Sequence, residues 1–254
     1  MEKFCLRTTP YWKRAFFGLV AATILIALSL QAWGAFIAVS VDTTLNTDST
    51  ADDYNIDTNN VTLTNNANLS LGANDTVDVV PASTGVTIIN NGTISTTGVR
   101  AIDANVGSNN LTIINSGTIL ASGGQGIRVQ TSSDISIINN AGATITGTTA
   151  AAINLGGSSG TLTNSGTISS DSQTIQAGAG AGGLTITNTA SGVISSSGGI
   201  VVRLETGTTL INSGTIERTD TATGQSVSFR GSNNTLILKE GSILVGKINV
   251  LSSG

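Results

Sequence analysis

The stretch "IINSGTI", residues 113 to 119, returns along the chain as "IINNGTI" from 88, "LTNSGTI" from 162 and "LINSGTI" from 210. Its asparagine serves as a marker, and the copies place it at Asn65, Asn90, Asn115, Asn139, Asn164, Asn188 and Asn212. The intervals are 25, 25, 24, 25, 24 and 24 residues. A degenerate copy, "LILKEGSI" (236 to 243), follows 26 residues later with Leu238 in the Asn position. Self-similarity at a fixed period of roughly 20 to 50 residues is the mark of a solenoid.

The pattern inside each copy says which kind. Two residues before the marker stand Leu63, Ile88, Ile113, Ile137, Leu162, Ile186 and Leu210. Four before it stand Val61, Val86, Leu111, Ile135 and Leu184, with Gly160 and Thr208 as exceptions. Apolar residues at every second position, many of them β-branched, predict strands with one buried face. After the marker and a Gly or Ala comes another aliphatic: Leu69, Ile94, Ile119, Ile145, Ile168, Ile194 and Ile216. The copies "NNAGATI" and "NTASGVI" carry two extra residues, which a surface turn absorbs more readily than a strand. A third apolar pair follows in "GIRV" (126 to 129), "AINL" (152 to 155), "GIVV" (199 to 202) and "SVSF" (226 to 229).

Three strands per period describe one coil of a parallel β-helix of seven to eight coils, about 24 to 25 residues per coil. Coils stacked at the strand spacing make a rod of roughly 35 Å. Asn and Gly enter left-handed backbone conformations cheaply, so "NSG" and "NNG" are expected to bend the chain between strands. The stacked Asn side chains are expected to hydrogen-bond as a ladder above a continuous aliphatic core. Ile88, Ile113, Ile137, Leu162, Ile186 and Leu210 should share one inward column. Replacing Ile137 with Asp should then unfold several coils, whereas Asp134→Ala should change little.

Outside the repeat lie two segments. Residues 1 to 35 read as an export signal: Lys3, Arg7, Lys13 and Arg14 precede the uncharged "AFFGLVAATILIALSL" (15 to 30), and the small residues of "QAWGA" place cleavage near 32 to 35. Residues 36 to 58 are acidic and lack the period, and are expected to form an irregular N-terminal cap ahead of a repeat domain over 59 to 254. Without the signal, seven Lys and Arg face 14 Asp and Glu, a mature charge near −7 that disfavours nucleic acid as a partner. The single cysteine, Cys5, lies within the signal, so the exported part holds no disulfide.

Taken together, the signal, the cysteine-free mature chain and the "TNSGTI" coils closing with "NNTLILKEGSILVGKINV" (233 to 250) resemble the passenger region of bacterial autotransporters. The resemblance covers residues 59 to 250. It implies a right-handed, pertactin-like β-helix, exported and presented at the cell surface or released, with a host surface or glycan as ligand. The family pattern continues into a translocator barrel. No such strands follow residue 250, and the expectation is either a fragment or truncated product, or a chain secreted with a separate outer-membrane transporter.

The composition restricts the chemistry. There is no His, which removes Ser-His-Asp and Cys-His triads and the usual zinc sites. The Gly-rich "GAGAGG" (178 to 183) and "GGSSG" (156 to 160) lack the Lys and Ser/Thr of a phosphate loop. No stretch carries the nonapeptide repeat of calcium-binding coils. The rival function is a β-helical polysaccharide lyase or hydrolase, which needs clustered carboxylates and often a basic residue beside them. The available acids are Asp52 and Asp53, Asp75 and Asp78, Asp103, Asp134, Asp171, Glu205, Glu217 and Asp220; apart from the first two pairs and Glu217 with Asp220, they are scattered about one per coil. Asp103 and Arg128 each stand 13 residues after a marker and are expected to pair at the surface for under about 1 kcal/mol. Arg203, 15 after its marker, is expected near the same face. The reading is a non-catalytic, structural or adhesive passenger with no catalytic, cofactor-binding or metal site, no cofactor, and a tendency to self-associate through the C-terminal coil.

Overall fold

A computed structural model describes residues 36–50, 53–178, 183–220 and 224–251; the expected export signal and its cleavage site lie outside them. The described chain is a right-handed parallel β-solenoid of about eight turns with no helices. Each turn after the short first one contributes one strand to each of three parallel sheets. The turn carrying Asn90 runs through Thr87–Asn90, Thr93–Thr96 and Arg100–Ala104. Sheet A has ten strands, from Phe36–Ala38 to Lys247–Val250. Sheet B has nine, from Thr43–Leu45 to Thr235–Leu238, and sheet C eight, from Asn68–Leu71 to Ile243–Val245.

The expected inward column is present in sheet B. Leu63, Ile88, Ile113, Ile137, Leu162, Ile186 and Leu210 lie opposite one another on successive strands, and all are fully buried. In sheet C, Leu69, Ile94, Ile119, Ile145, Ile168, Ile194 and Ile216 do the same. Ile102, Ile127, Ile153, Ile175, Val202 and Val227 supply the column of sheet A. Burying one such side chain contributes about 2 to 3 kcal/mol as an upper estimate.

The asparagines form the expected ladder. Each Nδ2 from Asn65 to Asn188 donates to the Oδ1 of the next Asn at 2.8 to 2.9 Å. Asn115 Nδ2 also reaches Gly117 O at 3.2 Å in its own turn and Thr144 O at 3.0 Å in the next coil. All seven are 0% exposed. An amide buried that deeply is tolerated only when its donors and acceptor are matched, which the stacking achieves. Leu238 takes the Asn place in the last coil, opposite Asn212.

Two expectations need correction. The "NSG" bends are not left-handed: neither the ladder asparagines nor Gly92, Gly117, Gly166 and Gly214 have positive φ. Glycine is required there because the coils approach so closely. A Cβ on Gly117 would lie 2.0 Å from Gly92 O, and one on Gly92 2.2 Å from Ala67 O. The left-handed corner sits instead five residues before six of the seven ladder Asn, where sheet A gives way to sheet B; before Asn164 the positive φ falls at Gly160, four residues ahead. Asn60, Gly85, Asn110, Asp134, Gly183 and Gly207 occupy the six corners, with φ between 53° and 80°. Asp134 therefore holds a backbone corner and is not an idle surface acid.

Residues 36 to 58 are not irregular either. Phe36–Ala38, Thr43–Leu45 and Asp53–Ile56 are strands of sheets A, B and A. Phe36 lies opposite Asp53 and Thr43 opposite Leu63, separations of 17 and 20 residues. This first coil is shorter than the repeat, so a period of 24 to 25 could not register it.

Candidate functional site

The outward face of sheet A carries the densest chemistry among the described residues. Register places Asn55, Asp78, Asp103, Arg128, Asn154, Gln176, Arg203 and Ser228 in one column. Arg128 and Arg203 thus share a face without adjoining, as expected. At the N-terminal end, neighbouring columns add Asp53, Asp75 and Arg100.

These groups converge over successive coils. Arg128 Nε donates to Asp103 Oδ1 at 2.6 Å and Nη2 to Oδ2 at 2.5 Å, a bidentate pair. Arg100 Nη1 bridges Asp75 at 3.1 Å and Asp103 at 3.4 Å. Asn105 Nδ2 donates to Asp78 Oδ1 at 2.6 Å, and Asn105 Oδ1 accepts from Gln130 Nε2 at 3.1 Å. The expected surface pair is in fact deep on one side, since Asp103 is only 3% exposed. The sub-kilocalorie value expected for a solvated pair does not apply to it.

Crowding carboxylates raises their affinity for protons. Burial, reinforced by the charges of Asp78 and Asp75, pushes the Asp53 carboxyl up to about 6. Burial does the same to Asp78, aided by Asp103 and Asp75 against Arg128 and Arg100, and carries it to about 6. Asp75 is also raised by burial, with Arg100 pulling the other way. Hydrogen bonding to Asp103 holds the Arg128 guanidinium above its usual value. Carboxyls near 6 exchange protons close to neutral pH, as general acids and bases do.

Phe36, Asp53, Asn74, Asp75, Asp78 and Val99 line an open cleft of about 270 Å³ at this end of the sheet. Among the described residues no three acidic side chains stand close enough to hold a metal ion.

The remaining acids are dispersed, as expected. Asp171 accepts from Ser197 Oγ at 2.7 Å, Glu205 from Arg203 Nε at 2.8 Å, and Asp220 from Arg218 Nε at 2.8 Å. Glu217 stacks between Ser195 and Val245 on sheet C, and Asp52 lies outside the described residues. The pairs Asp52 with Asp53 and Asp75 with Asp78, set apart from the scattered acids by the sequence, mark where the carboxylates gather, and Asp103 joins them there. Asp75 and Arg100 each stand 10 residues after a ladder Asn, and Asp78, Asp103 and Arg128 each stand 13 after one, so equal offsets already marked two columns. Phe36 and Asp53 belong to the short coil and had no such signal.

A family model, the BigA third pectate lyase-like domain, matches residues 34–249. The chain belongs to that family. No curated protein and no solved structure matches it.

Proposed function

We propose that this member of the family is a non-catalytic β-helical passenger, exported and held at or released from the bacterial surface, where the rod has a structural or adhesive role. It would reach the surface through an outer-membrane barrel, carried in cis or supplied by a separate transporter, and would meet a host surface or glycan there. The observation that carries this reading is the outer column of sheet A. Along it Arg128 pairs with Asp103, and Arg203 pairs with the neighbouring Glu205. Around it the rod repeats Thr, Ser, Asn and Gly from coil to coil, a surface suited to extension. The test is to express the full chain with a barrel supplied, follow its appearance on the cell surface, and measure binding of the purified protein to immobilised glycans and host cells. Retention inside the cell, together with no binding, counts against the reading.

A β-helical carbohydrate-active enzyme is the second reading, favoured by one observation, the carboxyls of Asp53 and Asp78 near 6. Incubation with acidic and neutral polysaccharides separates the two. New reducing ends or unsaturated products, abolished by Asp78→Asn, would establish the enzyme.

A further inference from the structure

The cleft over the first coils contains more hydrogen-bond acceptors than the protein satisfies. Asp53 is 8% exposed, lines the cleft, and its buried Oδ1 has no partner among the described residues. Asp75 Oδ1, also in the lining, and Asn55 Oδ1, on the same strand as Asp53, are in the same condition. Leaving buried acceptors unmatched is costly, because they give up water without gaining another donor. The charge is equally unbalanced: among the described residues the cations near Asp53, Asp75, Asp78 and Asp103 are Arg100 and Arg128. Around the cleft, among the described residues, the one buried donor without a partner is Arg100 Nε.

A ligand for such a place must bring donors and positive charge. Anionic groups, uronates included, would meet four carboxylates. A divalent cation needs several oxygens converging within roughly 2.3 to 2.6 Å of one point, and no three acidic side chains of the described residues do so. A primary ammonium carries three donors and no acceptor, and its hydrogen bonds span about 2.7 to 2.9 Å, so it tolerates a wider spread of carboxylates. Phe36, opposite Asp53 in register and 67% exposed, adds an aromatic ring to the lining. A cation above such a ring gains further attraction.

We propose that the cleft lined by Phe36, Asp53, Asp75 and Asp78 binds a primary ammonium group, presented by a small amine or by a lysine side chain. Such a site would bind amines whether or not the rod is displayed at a surface.

The test is calorimetric titration of the full chain with butylammonium and with Nα-acetyl-lysine amide. The Nε-acetylated form of the latter and calcium chloride serve as comparisons. Saturable binding of at least one amine is expected, weakened tenfold or more by Asp53→Asn and unchanged by Asp171→Asn, with circular dichroism confirming that both variants fold. Tighter binding of the lysine derivative assigns the site to protein or peptide lysines, and tighter binding of butylammonium to free amines. Affinity should fall as pH drops through about 6, where Asp53 and Asp78 gain protons in the field of Asp75, Asp103, Arg100 and Arg128. The proposal is overturned if neither amine binds, if the Nε-acetylated form binds equally, if Asp53→Asn has no effect, or if calcium occupies the cleft and excludes the amines.

Discussion

Arg128 grips both carboxylate oxygens of Asp103, one coil below it, at 2.6 and 2.5 Å, and among the described residues the other cation at Asp103 is Arg100 at 3.4 Å. The two residues stand opposite each other in the register of sheet A, so the pair links neighbouring coils outside the core.

Removing one member of this pair should therefore cost more than a surface ion pair would. Arg128→Met strands a buried carboxylate with only the longer Arg100 contact, and a loss of about 2 to 3 kcal/mol is expected. Adding Asp103→Asn should recover at least half of it. Denaturant midpoints for the single and double variants provide the measurement, and a single-variant loss below about 0.5 kcal/mol would return the pair to the solvated class.

The ladder should respond according to position. Asn139 donates to Ala143 O, Asn164 Oδ1 and Thr167 O and accepts from Asn115 Nδ2. Asn139→Ala leaves several of these groups unmatched and is expected to cost about 3 kcal/mol. Asn212 already faces Leu238 on its far side, so Asn212→Ala should cost about half as much. Equal losses at the two positions would contradict the account.

Asp134 sits at φ 56°, where a Cβ is a liability and only a short polar side chain offsets it. Asp134→Gly should be neutral or stabilising by up to about 1 kcal/mol, and Asp134→Ala should cost about 1 kcal/mol. Thermal unfolding of both variants tests the order; Ala above Gly would refute it.

Acid should help one part of the molecule. A carboxyl raised from 3.8 to about 6 holds its proton longer in the folded state. Its penalty is absent below about 4, grows as pH rises through the interval from about 4 to 6, and is constant above. Asp53→Asn removes the penalty, so the variant should exceed the parent by about 1 kcal/mol at pH 7.5, a figure reduced for partial solvent screening. The advantage should vanish near pH 4, and an advantage independent of pH would mean that Asp53 titrates normally.

The last coil presents Ile243, Ile248, Val250 and Leu238, the last 49% exposed, beside strand edges with no further coil among the described residues. A protein spanning residues 36 to 254 is expected to associate through this end in a concentration-dependent way. Light scattering should show it, and a polar cap designed after residue 250 should suppress it. A monomer at high concentration in both forms would rule the association out.

The sheets were legible in sequence because each coil repeats the same inward positions. One period through Ile113 and Asn115 located the sheet B column, the sheet C column and the ladder together. What escaped depends on local geometry that a repeat does not encode. The identity of Gly117 was visible, but its reason was steric, the carbonyl of Gly92 beneath it, while the left-handed bend lay at Asn110. The acidic cleft was half legible: Asp78, Asp103 and Arg128 shared an offset, whereas Asp53 entered through a coil too short for the period to count. Depth was the other missing quantity, since sequence spacing aligned Asp103 with Arg128 without showing that the carboxylate is covered.

Because the partners of each ladder Asn lie in its own coil and in the coils directly above and below, a whole coil can be inherited or lost as a unit. Deleting residues 91 to 115 would bring Asn90 beneath Asn139 and Ile88 beneath Ile137, recreating the neighbours that Asn115 and Ile113 had. Rod length can thus drift among descendants of this chain by unequal recombination between copies, the core and ladder columns closing on residues of the same type, although losing this particular coil takes Asp103 from Arg128 and Arg100 from Asp75. Only the ends resist such drift: the short opening coil with its acidic cleft, and the Leu238 coil where the amide column stops.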